Sequence, residues 1–278
     1  MPYIEDPSEE PEPEFGEEEV EARPRDPMID VAKSAIAAFF EAHRDGVFYE
    51  SQLEVIFEKE FFHWITTRAL EELAQEGTLA SELRILPNVG TIRFFRPKAH
   101  RYWRRQAAEL MGLVQQFSAP AFTRALGEHG EAMFDAALPT VGFLPTARNV
   151  RSYGGKSWSE TGHNLDRVFE RDGVPYGAEV KNTLSYISRD ELRIKLRMCA
   201  HLGLRPLFIV RTAPKSYIEL TRQQGGYTMV FRYQLYPFGQ LEFARRVRET
   251  LIIPVDCPSR IADATVQRFL KWHLSHAG

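Results

Sequence analysis

The sequence predicts an α/β protein in which a helical N-terminal unit precedes a mixed sheet flanked by helices. Apolar residues recur at helical spacing over residues 28–77, and extended segments follow them. Residues 165–182 have the pattern of two strands around an Asp-Gly turn, and a helix and an apolar strand come next. We therefore predict three parts: a disordered acidic tail over 1–27, a first folded unit over 28–105 and an α/β unit over 106–278.

The composition is that of a globular chain, with 278 residues of which 44% are hydrophobic and 26% charged. Its apolar runs are far shorter than the roughly 20 residues that a membrane span needs, and no basic and then apolar leader opens the chain. We therefore expect a cytoplasmic protein with no membrane partner. The two cysteines, Cys199 and Cys257, are far apart in the sequence. Their spacing argues against a disulfide scaffold or a structural zinc site.

Charge is distributed unevenly along the chain, whose net charge is −3. Residues 1–27 hold eleven acidic and two basic side chains, so the remaining 27 acidic and 33 basic residues give the rest of the chain a net charge of +6. The tail also has six prolines and few large apolar residues, and it cannot bury enough surface to offset its ordering entropy. It is either a solubilising segment or an internal polyanion that competes with nucleic acid for the basic body.

Three helices and a hairpin are predicted in the first folded unit. In chain order, the helices cover residues 28–46, 50–58 and 61–75. Gly46 closes the first helix and Gly77 the third, since glycine is favoured just after a helix. Extended segments at 79–86 and 91–95 flank the turn sequence Pro87-Asn88-Val89-Gly90.

This order of elements, and the stretch from Trp64 to Leu79 in particular, resembles a winged helix-turn-helix unit. In such units the third helix usually enters the major groove of DNA with its N-terminal half. The resemblance implies DNA contacts by the four side chains His63, Thr66, Thr67 and Arg68. A basic segment after the hairpin would bind phosphates through Arg101, Arg104 and Arg105. Acidic side chains on and beside the third helix keep a second interpretation open, that of a protein-docking module.

The residues that carry chemistry lie in the middle of the chain. Glu131 falls on a predicted amphipathic helix, Asp166 on the first strand of the predicted hairpin, and Glu179 and Lys181 on the second. Residues two apart on a strand share a face, so Glu179 and Lys181 point the same way with Val180 opposite. Carboxylate oxygens are the ligands that Mg²⁺ prefers, and a lysine beside them supplies a positive point charge with hydrogen-bond donors.

Glu131, Asp166 and Glu179-Val180-Lys181 together resemble the PD-(D/E)XK nuclease superfamily, and the layout is closest to its Holliday-junction-resolvase and Mrr-like branches. In that superfamily a helix supplies the first acid, one strand the Asp and the next strand the Glu-x-Lys, and a helix and another strand follow. Here the capping sequence Ser188-Arg-Asp-Glu191 opens such a helix, and residues 206–210 form the apolar strand. The resemblance implies a restriction-endonuclease-like fold and metal-dependent hydrolysis of DNA.

The resemblance also implies a role for each residue of the motif. Asp166 and Glu179 would bind Mg²⁺, or Mn²⁺, together with the main-chain carbonyl of Val180. Lys181 would position or help to deprotonate the attacking water and stabilise charge in the transition state. Glu131 would bind a second ion or a metal-bound water. Glu128, three residues earlier on the same predicted helix face, remains the alternative first acid.

A stripe of three arginines lies on the helix after the motif, four residues apart: Arg189, Arg193 and Arg197. They would follow a phosphate backbone near the metal site. The alternative is that they form only a solvated helix face.

The sequence thus predicts a magnesium-dependent endonuclease with DNA as its partner. The resemblance also allows a homodimer, which is common in that superfamily because cutting both strands of a duplex takes two sites, but the sequence leaves the oligomeric state open. A catalytically inactive nuclease fold used as a DNA-binding or assembly platform is the first alternative, and a winged-helix transcription regulator is the second. The acid and lysine set favours the enzyme, since a regulator would be expected to have an apolar ligand pocket. The sequence leaves open the structure or sequence of the DNA, and whether the substrate is RNA.

Overall fold

The computed structural model describes residues 25–87 and 89–276. Within these residues the chain is an α/β protein whose largest sheet is mixed and flanked by helices, which confirms the predicted fold class. The acidic tail predicted over 1–27 lies outside the described residues as far as residue 24. At its end, Arg25 forms ion pairs of 2.7 Å with Asp30 and with Glu72.

The N-terminal unit contains the three helices and the hairpin that the sequence predicts. Its elements are α1 (Met28–Ala42), β1 (Phe48–Tyr49), α2 (Glu50–Phe57), α3 (His63–Gln75), β2 (Leu79–Leu86) and β3 (Gly90–Pro97). β2 and β3 pair along their whole length, and β1 adds to β3 to give the strand order β1-β3-β2. β1 was not predicted, because two residues are too few to produce an alternating pattern.

The rest of the chain forms the larger sheet and its helices. Its helices are α4 (Trp103–Phe117), α5 (Pro120–Ala137), α6 (Arg189–Leu202), α7 (Lys215–Gln223), α8 (Leu241–Leu251) and α9 (Asp263–His276), with a short 3-10 turn at Leu138–Val141. Its strands are β4 (Leu144–Val150), β5 (Ser152–Tyr153), β6 (Lys156–Ser157), β7 (Leu165–Arg171), β8 (Val174–Lys181), β9 (Arg205–Val210), β10 (Tyr227–Val230), β11 (Gln234–Leu235) and β12 (Val255–Asp256). The predicted hairpin, the helix after it and the next strand are confirmed as β7, β8, α6 and β9.

The larger sheet has the strand order β10-β9-β8-β7-β4. β4, β7 and β8 are antiparallel neighbours, whereas β8, β9 and β10 run parallel. Asp172 and Gly173 join β7 to β8 with φ of 51° and 75°, as the tightest hairpin turns require. α6 forms the crossover between β8 and β9, because two neighbouring parallel strands cannot be joined by a tight turn.

Helices cover both faces of this sheet. Phe134 of α5 and Phe269 of α9 pack with Phe169 on one face. On the other face Gly177 lies against α6, where an added Cβ would come within 2.9 Å of the Cys199 Sγ, so this close approach requires glycine. No helix within residues 25–87 and 89–276 combines the length and the apolar character that crossing a membrane requires.

The N-terminal unit has one apolar cluster of its own and shares another. The first cluster lies around Leu53 and Phe95. The second joins Phe94 of β3 to Trp103 of α4 and Val247 of α8. The predicted boundary near residue 105 therefore lies within a continuous core, so it does not separate two independently packed units.

Candidate active site

Glu179 lies at the centre of a group of charged side chains on β8 and α6, of which Glu179 and Lys195 are buried and the others partly exposed. Its side chain is 3% exposed, and Lys181 Nζ lies 3.0 Å from its Oε1. Lys195, which projects from α6, places its Nζ 2.5 Å from the Oε2. Lys181 also reaches Glu191, at 2.8 Å. We name these four residues and Asp166 the lysine–carboxylate cluster; the predicted common face of Glu179 and Lys181 is confirmed.

Asp166 lies beside this group at the start of β7. Its Oδ2 accepts a hydrogen bond of 2.7 Å from the backbone N–H of Val180. That bond fixes the carboxylate across from the Glu-x-Lys segment of β8. Its negative charge is close enough to Glu179 to raise the pKa of that residue. The two acids and the lysine that the sequence singled out therefore come together in space.

Burial and charge act in opposite directions within the cluster. Burial raises the pKa of Glu179, and the charge of Asp166 adds to this effect, while Lys195 and Lys181 lower the pKa in part. Burial lowers the pKa of Lys181, but Glu179 and Glu191 outweigh it and the pKa of Lys181 is raised. Lys181 therefore stays protonated at neutral pH and can donate hydrogen bonds.

Glu131 lies on the opposite face of the sheet, on α5. Its Oε2 is 2.8 Å from a guanidinium nitrogen of Arg167, which is buried and also binds Asp135 at 3.0 Å. Burial raises the pKa of Glu131, and the charge of Asp166 raises it further. Glu131 and Glu128 line the same shallow depression of about 500 Å³. Glu131 is thus paired with Arg167 and is not part of the lysine–carboxylate cluster, so its predicted role at a second ion, and that of the alternative Glu128, stay predictions.

The donor set of the cluster fits a magnesium ion in part. Among the described residues there is no group of three or more His, Cys, Asp or Glu side chains that could hold a metal ion. Mg²⁺ is commonly held by one or two carboxylates with waters and substrate phosphate, so Asp166 and Glu179 suffice in number. Both carboxylate oxygens of Glu179 already bind lysines. Lys181, whose side chain is 28% exposed, can move away from Glu179 to admit an ion more easily than Lys195, whose side chain is 4% exposed.

Most of the predicted DNA-reading side chains at the start of α3 face the protein. Thr66 is fully buried, and the ring of His63 lies 4.3 Å from the ring of Tyr186, which follows β8. The hydroxyl of Thr67 donates to Glu54 of α2 at 2.7 Å. Thr66 therefore cannot reach DNA in this arrangement, because the start of α3 packs against α2 and the segment after β8. His63 and Thr67 are partly exposed, and their contact with DNA stays a prediction. Arg68 is exposed but pairs with acidic neighbours on its own helix.

The other predicted phosphate-binding residues are accessible. These six predicted residues are all exposed: Arg101, Arg104, Arg105, Arg189, Arg193 and Arg197. Arg104 lies over the ring of Trp103, with its guanidinium carbon 5.5 Å from the ring centroid. Arg105 and Arg197 each have an acid nearby, at 3.3 and 3.6 Å, but more than half of each side chain is exposed.

Lys195 was missed in the sequence, although a signal for it exists. It lies on the face of α6 that also buries Leu192, Leu196 and Cys199, where an unpaired lysine would be costly. Besides Glu179, it donates to the backbone carbonyl of Asn164, just before Asp166. A lysine on the apolar face of the helix that follows a Glu-x-Lys strand therefore indicates a second cation for the same glutamate.

Comparisons of the chain with protein-family models, with curated proteins and with solved structures each return no match. Two adjacent carboxylates can hold a divalent cation, and two ammonium groups beside them can stabilise negative charge on a phosphate as it develops. A buried charged group of this kind also costs folding stability unless every member is paired.

Proposed function

We propose that the chain is a metal-dependent endonuclease that hydrolyses DNA phosphodiester bonds at the lysine–carboxylate cluster. The observation that carries this proposal is the surroundings of Glu179: a lysine on each oxygen and Asp166 close enough to raise its pKa. Buried carboxylates with shifted pKa values are concentrated at functional sites.

The order of elements supports the same proposal. α5 carries Glu131, β7 carries Asp166, β8 carries Glu179 and Lys181, and α6 and β9 follow. This is the order of helix, strands, helix and strand that the resemblance to the PD-(D/E)XK superfamily implies. The inactive platform would share this order, but the intact motif residues favour the enzyme. All four motif side chains are present and ionisable.

The residues of the cluster have distinct roles in the proposed reaction. Asp166 and Glu179 would hold Mg²⁺ or Mn²⁺, with the carbonyl of Val180 as the third protein donor. A bound ion of this type polarises a phosphoryl oxygen and lowers the pKa of a coordinated water. Lys181 donates hydrogen bonds to the phosphate and positions the water; because its pKa is raised, it acts as a donor rather than as a base.

Two further residues position the others. Lys195 holds Glu179 through its Oε2 and holds the chain before Asp166 through the carbonyl of Asn164. Arg167 donates to the backbone carbonyl of Asp166 at 2.8 Å and links that strand to Glu131. Both are buried and already paired, so they are positioning residues rather than groups that touch the substrate.

The DNA path proposed here uses the exposed arginines of α6 rather than the start of α3. Arg189 and Arg193 project from the helix that also supplies Lys195, so a backbone that follows them would pass close to the cluster. Arg101 and Arg104 would extend the contact along the N-terminal unit. The N-terminal unit would then mainly support the α/β unit rather than read the DNA, in line with its interpretation as a protein-docking module.

A cleavage screen with the full chain tests the proposed function. Duplex, single-stranded, branched and modified DNA are incubated with Mg²⁺ or Mn²⁺, and cleavage is expected on at least one of them. We expect Lys181→Ala to lower the rate by roughly 10²–10³-fold, the usual cost of losing one preorganised charge donor, while DNA binding is retained. Lys271→Ala, at an exposed position on α9, is the matched control and keeps full activity. DNA binding without metal-stimulated hydrolysis of any substrate would support the inactive platform instead.

A further inference from the structure

A cleft of about 420 Å³ lies where the N-terminal unit meets the segment after β8. Its lining includes Glu50 and Glu54 of α2, residues 183–185 and Gln234. Val114 of α4 and Leu126 of α5 form part of its apolar lining. The cleft is thus separate from the lysine–carboxylate cluster, although both adjoin the end of β8.

The charged groups in this cleft leave an excess of negative charge. Glu50 and Glu54 are one helical turn apart on α2, so their carboxylates repel each other. Among the described residues, Arg93 is the one arginine in the cleft lining; it lies 3.7 Å from Glu50 but is closer, at 2.9 Å, to Glu71, which is outside the lining. Burial raises the pKa of both cleft glutamates, while the charge of Arg93 lowers that of Glu50 in part and the hydrogen bond from Thr67 lowers that of Glu54 in part.

Gln234 adds a buried acceptor without a donor. Its residue is 6% exposed, and its Nε2 donates to the backbone carbonyl of Asn182 at 3.1 Å. That bond fixes the amide orientation, so the other end of the amide is the carbonyl oxygen. The Oε1 has no hydrogen-bond partner among the described residues, and the Nε2 of His63, another lining residue, has none there either. Buried polar atoms are normally paired, so the Oε1 of Gln234, which can only accept, indicates a ligand that supplies a donor.

We infer that this cleft binds a small organic cation, a protonated amine or amidine carried on an apolar body. The cationic head donates hydrogen bonds to Glu54 and to the Oε1 of Gln234, and the apolar body packs on Val114, Leu126 and Ile253. The two carboxylates disfavour phosphate, so DNA is not the occupant. This inference goes beyond the proposed nuclease activity and does not depend on it.

Calorimetric titration of the full chain with benzamidine and with benzamide tests the inference, because the two molecules have the same shape and only benzamidine is cationic. We expect benzamidine to bind at least about tenfold more tightly than benzamide. Glu54→Gln keeps the size and the acceptor for Thr67, and it is expected to abolish most of this preference. Glu242→Gln, at an exposed position on α8, is the control and keeps it.

A second variant covers the case in which Glu54→Gln does not fold. Gln234→Leu removes the unpaired acceptor, and it is expected to weaken benzamidine binding several-fold while thermal unfolding stays cooperative. Equal binding of benzamidine and benzamide would overturn the inference, and so would the absence of binding by both at millimolar concentration. Retention of the full preference in both cleft variants would overturn it too, since the cation would then bind elsewhere.

Discussion

Two groups of ion-paired side chains, the Arg211–Glu58 pair and the lysine–carboxylate cluster, lie near the end of β8 and differ in how completely they are paired. Arg211 binds Glu58, the residue that follows α2, through both carboxylate oxygens, at 2.5 and 2.6 Å, and donates further to the carbonyls of Thr183 and Leu184. The lysine–carboxylate cluster has two ammonium groups on one glutamate and a second acid beside it. The guanidinium of Arg211 has five donors in a fixed geometry and forms a fully paired structural ion pair. Lysines, by contrast, are point charges whose donors can turn to a new partner.

Breaking the ion pair of Arg211 with Glu58 gives the largest expected effect. Arg211→Met leaves Glu58 buried without a partner, and we expect the free energy of unfolding to fall by about 3–5 kcal/mol. Urea unfolding of the variant and the native chain measures the difference. The double variant Glu58→Leu with Arg211→Met removes both charges, and it is expected to recover most of the loss. A double variant as unstable as the single one would mean that the carbonyls of Thr183 and Leu184, rather than Glu58, are the essential partners of Arg211.

The charge of Arg211 also affects His63, which gives the second expected effect. Burial and this charge lower the pKa of His63 from 6.5 to about 4. Between these two values the unfolded chain binds more protons at this residue than the folded chain, so the folded state loses stability as the pH falls from 6.5 to 4. We expect His63→Gln to remove up to about 3 kcal/mol of this acid sensitivity.

Urea unfolding at pH 7, 5 and 4 measures the contribution of His63. His276→Gln, at an exposed position, is the control, and its pH profile should follow that of the native chain. If the His63→Gln profile also follows it, then His63 does not remain neutral in the folded state.

Opening one side of the lysine–carboxylate cluster gives the smallest effect and depends on the proposed activity. Lys195 lowers the pKa of Glu179 through its charge and its hydrogen bond, so Lys195→Met raises that pKa. The metal-holding form of Glu179 is ionised, and the acid limb of the pH–rate profile is therefore expected to move upward by about one pH unit. The profile of kcat/KM against pH measures the shift, with Lys271→Met as control. An unmoved acid limb with a lower rate at every pH would assign Lys195 a structural role only.

The sequence predicted the elements whose signals are local. The hairpin of β7 and β8 has an alternating pattern and an Asp-Gly turn, and the shared face of Glu179 and Lys181 follows from strand geometry alone. β4 was not predicted, because it is an edge strand with Pro145 and six of its seven residues at least partly exposed, so it lacks the alternation of a half-buried strand.

Contacts between distant segments were beyond the reach of local patterns. The helix α3 was predicted correctly, but nothing near His63 in the sequence indicates that Tyr186 covers it. Lys195 was passed over because the arginine stripe on the same helix suggested that its basic residues face solvent. Likewise the ion pair of Glu131 with Arg167 forms across the face of the sheet, and periodicity cannot specify it.

The apolar cluster that joins Phe94 and Trp103 to Val247 has a consequence for how the chain can be divided. Cleavage of the chain near residue 105 would expose the apolar residues of this cluster on both fragments, and each fragment would be prone to aggregation. The N-terminal unit therefore cannot be moved alone to another protein, because it would need a substitute for the packing surfaces of α4 and α8. Protease digestion of the native chain should yield no stable half.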